Sequence, residues 1–205
     1  MEGLACITGF LCWARLYPKF WRIFPIYLLI IFCCEFAGWY MTNNAIKGSK
    51  LMYQYFVIPL EFLFMYFLYF KNLPKYFSKI TVGLSLVYIA SFFAEKLLLK
   101  NVKWLWMSVS YSVGCLVLFI LATIYFLSIH QSEKIITYKK EIFFWVTLGM
   151  VLFYVGTFPY YAMSGVLYKA NEGLYNTYSW ISIILNYIMY SFFITGFLCY
   201  RQTEK

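Results

Sequence analysis

The chain has 205 residues, of which 63% are hydrophobic, 24% aromatic and only 12% charged. Soluble domains carry about 25% charged residues, so this composition excludes an ordinary soluble domain; the long apolar runs define a polytopic membrane protein. The net charge of +9 sits in short caps between apolar runs, a pattern of topology and anionic lipid contact rather than nucleic-acid binding.

A helix needs about 20 apolar residues to cross the hydrocarbon layer. In chain order, crossings are expected at about 23–41, 51–70, 78–98, 104–129, 142–163 and 178–200. The N-terminal stretch is shorter, with an apolar run over 3–14 before Arg15. It lacks the basic start and small-residue cleavage site of a signal peptide. It is expected to form a short first span over about 3–17, with Arg15 snorkelling and Tyr17 at the interface; an interfacial helix is the alternative. The fold class is therefore all-α: a single transmembrane domain over 1–205, a bundle of seven helices. No linker or internal repeat divides it.

Basic residues set the orientation. With the N-terminus outside, the cytoplasmic segments hold Arg15, Lys19, Arg22, Lys71, Lys75, Lys79, Lys134, Lys139, Lys140, Arg201 and Lys205. The outer segments hold only Lys47, Lys50, Lys96, Lys100, Lys103 and Lys169. The expected topology is N-terminus out and C-terminus in. Aromatic residues at the span ends (Trp13, Tyr17, Trp21, Trp39, Tyr40, Trp104, Trp106, Trp145, Tyr175, Tyr178 and Trp180) read as an interfacial belt. The six cysteines lie in or beside apolar runs without a C-x-x-C, and read as small buried hydrophobes rather than disulfides or metal ligands.

Two carboxylates break the apolar pattern. Glu35 lies in the second expected span and Glu61 in the middle of the third. By rise per residue they sit about 10 Å and about 15 Å below the outer edge, close enough in depth for one polar pocket. A charge at the bilayer centre costs at least ~2.5 kcal/mol, and no Lys or Arg lies mid-span to offset it. Each Glu must then be protonated, accept hydrogen bonds, or balance a cation. The candidate site is Glu35 and Glu61 with Tyr55, Tyr66, Thr157, Asn186 and Tyr190 at similar depth. Pro59 and Pro159 are expected to kink their spans and free carbonyls beside it. Neutral Glu as helix-to-helix glue is the alternative. Glu95, beside Lys96, is expected at the interface. Small residues at Ala90/Ala94, Ser108/Ser112, Ser110/Gly114 and Gly149/Gly156 allow close helix approach.

The single histidine, His130, lies after the fifth expected span. Bis-His haem ligation, multi-His zinc chemistry and a Ser-His-Asp triad are thereby excluded. No catalytic residue, metal ligand or cofactor is assigned, and an enzyme is the less favoured class.

The segments RIFPIYLLIIFCCEFAGWY (Arg22 to Tyr40), IPLEFLFMYFLYF (Ile58 to Phe70) and FFWVTLGMVLFYVGTFPYYAM (Phe143 to Met163) resemble a family of uncharacterised seven-span inner-membrane proteins common in Bacteroidota. The resemblance implies a bacterial inner-membrane, multi-pass location and a seven-helix bundle, and it carries no known activity or site. The short first span departs from the family's full-length one, as a late start at Met1 would produce. The expected function is a receptor-like or ligand-binding bundle taking a small molecule, lipid or cation. The alternatives are a small transporter of a cation, proton-coupled solute or lipid, and a structural accessory subunit with a membrane-protein partner. A transporter would more often show an internal repeat.

Overall fold

A computed structural model of the chain describes residues 1–46, 48–98, 108–130, 138–170 and 172–200. All regular structure among them is helical: α1 (Glu2–Leu11), α2 (Ile23–Asn43), α3 (Ser49–Met52), α4 (Ile58–Asn72), α5 (Ser78–Leu98), α6 (Ser108–His130), α7 (Ile142–Ala170) and α8 (Glu172–Cys199). A π-helical turn, Tyr53–Val57, joins α3 to α4 in one continuous rod. Six helices are long and apolar enough to cross a bilayer: Lys19–Asn43, Tyr53–Asn72, Lys75–Leu97, Val109–His130, Ile142–Ala162 and Gly173–Cys199. Residues 104–107 of the expected run 104–129, with Trp104 and Trp106, lie outside the described residues, as do Lys47, Lys100, Lys103, Lys134, Arg201 and Lys205.

The expected first span over 3–17 is α-helical only in its first part. Helix α1 stops at Leu11 after 10 residues, about 15 Å of rise. A 3₁₀ turn at Trp13–Arg15 and an extended Leu16 follow it. Helix α1 runs antiparallel along the first part of α2, with Gly3 against Phe32 and Gly9 against Pro25. A Cβ on Gly9 would fall 2.9 Å from the Pro25 ring, so glycine sets how closely the two helices approach. Pro25 is tolerated because it sits in the first turn of α2, where backbone N–H groups have no intrahelical partner.

Helix α2 ends where Ala45 turns left-handed (φ 53) and Gly48 takes φ 127, the latter a conformation that only glycine adopts without strain. The π turn has a local cause in Pro59. Proline cannot donate to Tyr55 O and its ring crowds that carbonyl. The chain widens just upstream, with the Ile58 N–H bonding back to Tyr53 O, which is the π register. Pro159, by contrast, lies inside α7, which continues through it to Ala170.

The chain divides into two compact units. The first comprises Met1–Leu60, Ile136–Gly149 and Tyr187–Lys205. Its core is aromatic: Phe24 meets Phe193 at 5.3 Å and Phe197 at 5.5 Å between ring centroids, and Trp21 meets Phe143 at 6.1 Å. Trp21, expected in the interfacial belt, is a core residue. Gly149 receives the backbone of Met189, where a Cβ would lie 3.1 Å from its carbonyl oxygen.

The second unit comprises Glu61–Ile135 and Met150–Asn186. Phe62 sits at its centre, fully buried, with the rings of Tyr88 and Tyr154 each 5.1 Å away, Tyr111 at 5.5 Å and Tyr66 at 6.2 Å. Such pairs contribute roughly 0.5–1.5 kcal/mol each beyond area burial. Gly114 makes this possible, because a Cβ there would lie 2.7 Å from the Phe62 ring. Gly156 likewise admits Leu185. The cysteines split: Cys6, Cys12 and Cys115 are buried, Cys34 is half-buried, and Cys33 and Cys199 are exposed. Burial thus holds for only three of the six.

Phe62 is boxed by four tyrosines and cannot yield, so Gly114→Ala is expected to cost about 1–3 kcal/mol of stability through overpacking. Gly83 has nothing within 4 Å of an added Cβ. Gly83→Ala is therefore expected to be neutral or stabilising by up to about 1 kcal/mol through helix propensity. Thermal unfolding of the two variants in detergent separates them, and equal midpoints would refute the packing account.

Candidate functional site

Each intramembrane carboxylate has a tyrosine partner within its own unit. In the first unit, Glu35 on α2 accepts a 2.7 Å hydrogen bond from Tyr53 Oη. The residue pattern explains the reach. Gly38 lies one turn beyond Glu35 and presents no side chain, so the Tyr53 ring lies directly on the α2 backbone; a Cβ at Gly38 would be 2.6 Å from the phenol oxygen. Tyr53 also opens the π turn. Thr42 completes this end, donating to Gly38 O at 2.8 Å. Tyr53, not the expected Tyr55, is the donor to Glu35; Tyr55 is 44% exposed. Tyr190, the other candidate in this unit, is buried with its ring edge-on to Phe193 at 5.5 Å.

In the second unit, Glu61 opens the stretch of α4 that carries Phe62. Tyr154 Oη donates to Glu61 at 3.5 Å, a length at the limit of hydrogen bonding. Tyr88 and Tyr111 lie within electrostatic reach of the same carboxylate. Tyr111 Oη and Thr157 Oγ1 are 3.0 Å apart, and Thr157 also donates to Phe153 O at 2.8 Å. The Tyr111 ring rests on Tyr161 with centroids 4.5 Å apart. Tyr88 Oη is buried with no hydrogen-bond partner among the described residues. A water-sized cavity of about 10 Å³ lies beside Tyr154, lined also by Tyr69, Cys115 and Met150.

Of the sequence candidates in this unit, Thr157 joins the Glu61 neighbourhood through Tyr111. Tyr66 turns instead to the helix backbone, donating to Gly114 O at 3.1 Å. Asn186 is half-buried. Tyr53, Tyr88, Tyr111 and Tyr154 were missed. A depth count along each helix does not give the face on which a side chain lies, and twenty-one tyrosines offer many partners at any depth. The usable signal for Tyr53 was Gly38, three residues after Glu35, which marks a close approach by another element.

Glu95 is a different case. Expected at the interface, it is only 8% exposed. It caps the next helix: its carboxylate accepts the Ser110 N–H at 2.8 Å and the Val109 N–H at 3.3 Å. These are first-turn amides of α6 with no intrahelical acceptor, and the helix N-terminus favours negative charge. The physical reason for its burial is therefore a cap supplied from α5. Outside the crossing helices, Tyr200 Oη donates to Tyr17 O. Partial burial lifts the Tyr200 phenol above its ordinary value, so it remains the neutral donor.

No family model matches the chain, and comparison with curated proteins and with solved structures found no match.

Removal of the Glu95 carboxylate leaves a buried amide without its acceptor. Glu95→Ala is therefore expected to destabilise the protein by about 1–3 kcal/mol, read as a lower thermal midpoint, with Glu95→Gln less affected because its carbonyl oxygen still accepts. An unchanged midpoint for Glu95→Ala would show that the cap contributes nothing.

Proposed function

We propose that this chain is a multi-pass protein of a bacterial inner membrane that binds a small cationic or protonatable ligand at Glu61. The observation that carries this reading is the Glu61 neighbourhood: one carboxylate with Tyr154 at 3.5 Å, Tyr88 and Tyr111 within electrostatic reach, and a buried Tyr88 hydroxyl lacking a partner among the described residues. A carboxylate in hydrocarbon needs neutralisation, and aromatic faces beside it favour a cation over a neutral solute. Glu35 is read differently. Its short bond to Tyr53 and the Gly38 contact favour a fastening between two helical segments.

In this reading six helices cross the membrane. The basic segments Arg15–Arg22, Lys71–Lys79 and Lys139–Lys140 face the cytoplasm, as does the chain after α8. Membership of the Bacteroidota family belongs to the same reading and rests on the three segments that carry the resemblance.

Native mass spectrometry and thermal shift in mild detergent test the ligand claim, comparing wild type with Glu61→Gln and Tyr88→Phe. The expected result is a co-purifying adduct, or a stabilising shift with tetramethylammonium or a long-chain amine, lost in Glu61→Gln at an unchanged unliganded midpoint. If wild type shows neither adduct nor shift, or if Glu61→Gln retains both, the site assignment fails. A Glu61→Gln variant that merely unfolds earlier would assign Glu61 to helix fastening instead.

A further inference from the structure

The basic end of the first unit combines a charged head and an apolar track on one helix face. Between α1 and α2 the chain makes two 3₁₀ turns, Trp13–Arg15 and Lys19–Arg22. Leu16 and Trp21 anchor this segment in the core. The bond from Tyr200 Oη to Tyr17 O ties it to the end of α8, and the Trp21–Phe143 contact ties it to the start of α7. Just before α7, the 3₁₀ turn Tyr138–Lys140 is held by the Trp145 indole, which donates to Lys139 O at 2.8 Å. Five cations thus belong to segments fastened to one another: Arg15, Lys19, Arg22, Lys139 and Lys140. Glu141 is the acidic residue that follows them in sequence. Arg15, Lys19, Lys139 and Lys140 are exposed. Arg22 is half-buried, and its Nε–H is buried without a hydrogen-bond partner among the described residues.

Helical spacing then supplies the second half. Lys19, Arg22, Ile26, Leu29 and Cys33 follow one another at intervals of three or four residues, so they share one stripe. Ile26, Leu29 and Cys33 are exposed. From Arg22 to Cys33 the stripe rises about 16 Å, close to the half-thickness of a hydrocarbon layer about 30 Å deep. A half-buried guanidinium with exposed lysines on the segments fastened to it, at the mouth of an apolar track one leaflet long, matches a phosphate joined to an acyl chain.

We propose that this face binds an anionic phospholipid, with the headgroup phosphate on Arg22 and Lys19 and an acyl chain along Ile26, Leu29 and Cys33. Lys139 and Lys140 add to the attraction without touching the chain-bearing stripe. A free anion would need only the head of this arrangement, and a zwitterionic lipid would gain nothing from the excess of cations.

The test is native mass spectrometry of the full chain in detergent with equimolar phosphatidylglycerol and phosphatidylcholine, for wild type, Arg22→Gln, Arg22→Lys and Lys19→Gln. Wild type is expected to retain phosphatidylglycerol preferentially. The preference should fall about fivefold for each basic residue removed, with Arg22→Lys recovering most of it. If Arg22→Gln does not fold, Lys19→Gln with Lys139→Gln, both exposed positions, carries the test. Equal retention of the two lipids by wild type overturns the proposal, as does a preference unchanged in the variants. Displacement of the lipid by millimolar inorganic phosphate would assign the site to free anions and overturn the lipid assignment.

Discussion

The interior of a bilayer offers no water, so every polar group placed there must find its partner within the protein. That constraint accounts for most of what distinguishes this chain. Glu35 and Glu61 stand in apolar runs with no mid-span cation to offset them, and each has a tyrosine hydroxyl in contact. Glu95 meets the same requirement by capping the first-turn amides of α6. Tyrosine suits this role because its ring is at home among lipid-facing and core side chains while its hydroxyl donates without carrying charge. A chain with twenty-one tyrosines can therefore hold carboxylates in hydrocarbon without a buried lysine or arginine.

Glycine makes those contacts geometrically possible. Gly38 admits Tyr53 to the face of α2, Gly114 admits Phe62 to the centre of its tyrosine ring, and Gly9 admits Pro25. Each is a position where the neighbouring atoms already occupy the space of a Cβ. The aromatic bulk and the missing side chains are two halves of one packing solution, the membrane counterpart of large residues set against small ones. Polar chemistry rides on it: the Tyr53 hydroxyl reaches Glu35 because Gly38 has no side chain. In the second unit three of the four tyrosines around Phe62, namely Tyr88, Tyr111 and Tyr154, also lie within hydrogen-bond or electrostatic reach of Glu61.

Helix number and position were legible in the sequence because hydrophobicity over twenty residues is a strong, local signal. The runs at 23–41, 78–98 and 142–163 all lie within observed helices. Local chemistry beneath that signal was not. The end of the helix over 3–17 was not legible because apolar composition says nothing of where a helix stops, and the chain after Leu11 turns through Trp13–Arg15. Pro59 announced a disturbance, but its form, a π turn displaced upstream to Tyr53–Val57, depends on how the neighbouring turn relaxes. Glu35 and Glu61 were identifiable as odd residues; their partners were not, because donors on other helices meet them through rotation about each helix axis. Tyr55 and Tyr53 differ by two positions and point to different faces. The capping role of Glu95 was not legible because a cap supplied from a neighbouring helix leaves no mark next to it in sequence.

The most direct measurement is a double-mutant cycle on Glu35→Gln and Tyr53→Phe, by thermal unfolding in detergent of both single variants and the double. If the hydroxyl satisfies the carboxylate as the geometry indicates, the two substitutions are coupled by about 1 kcal/mol or more. The double variant then loses little beyond what Tyr53→Phe alone loses. Additivity of the two losses within about 0.5 kcal/mol would mean that Glu35 is satisfied some other way. It would contradict the view that tyrosine hydroxyls hold the carboxylates of this protein inside the membrane.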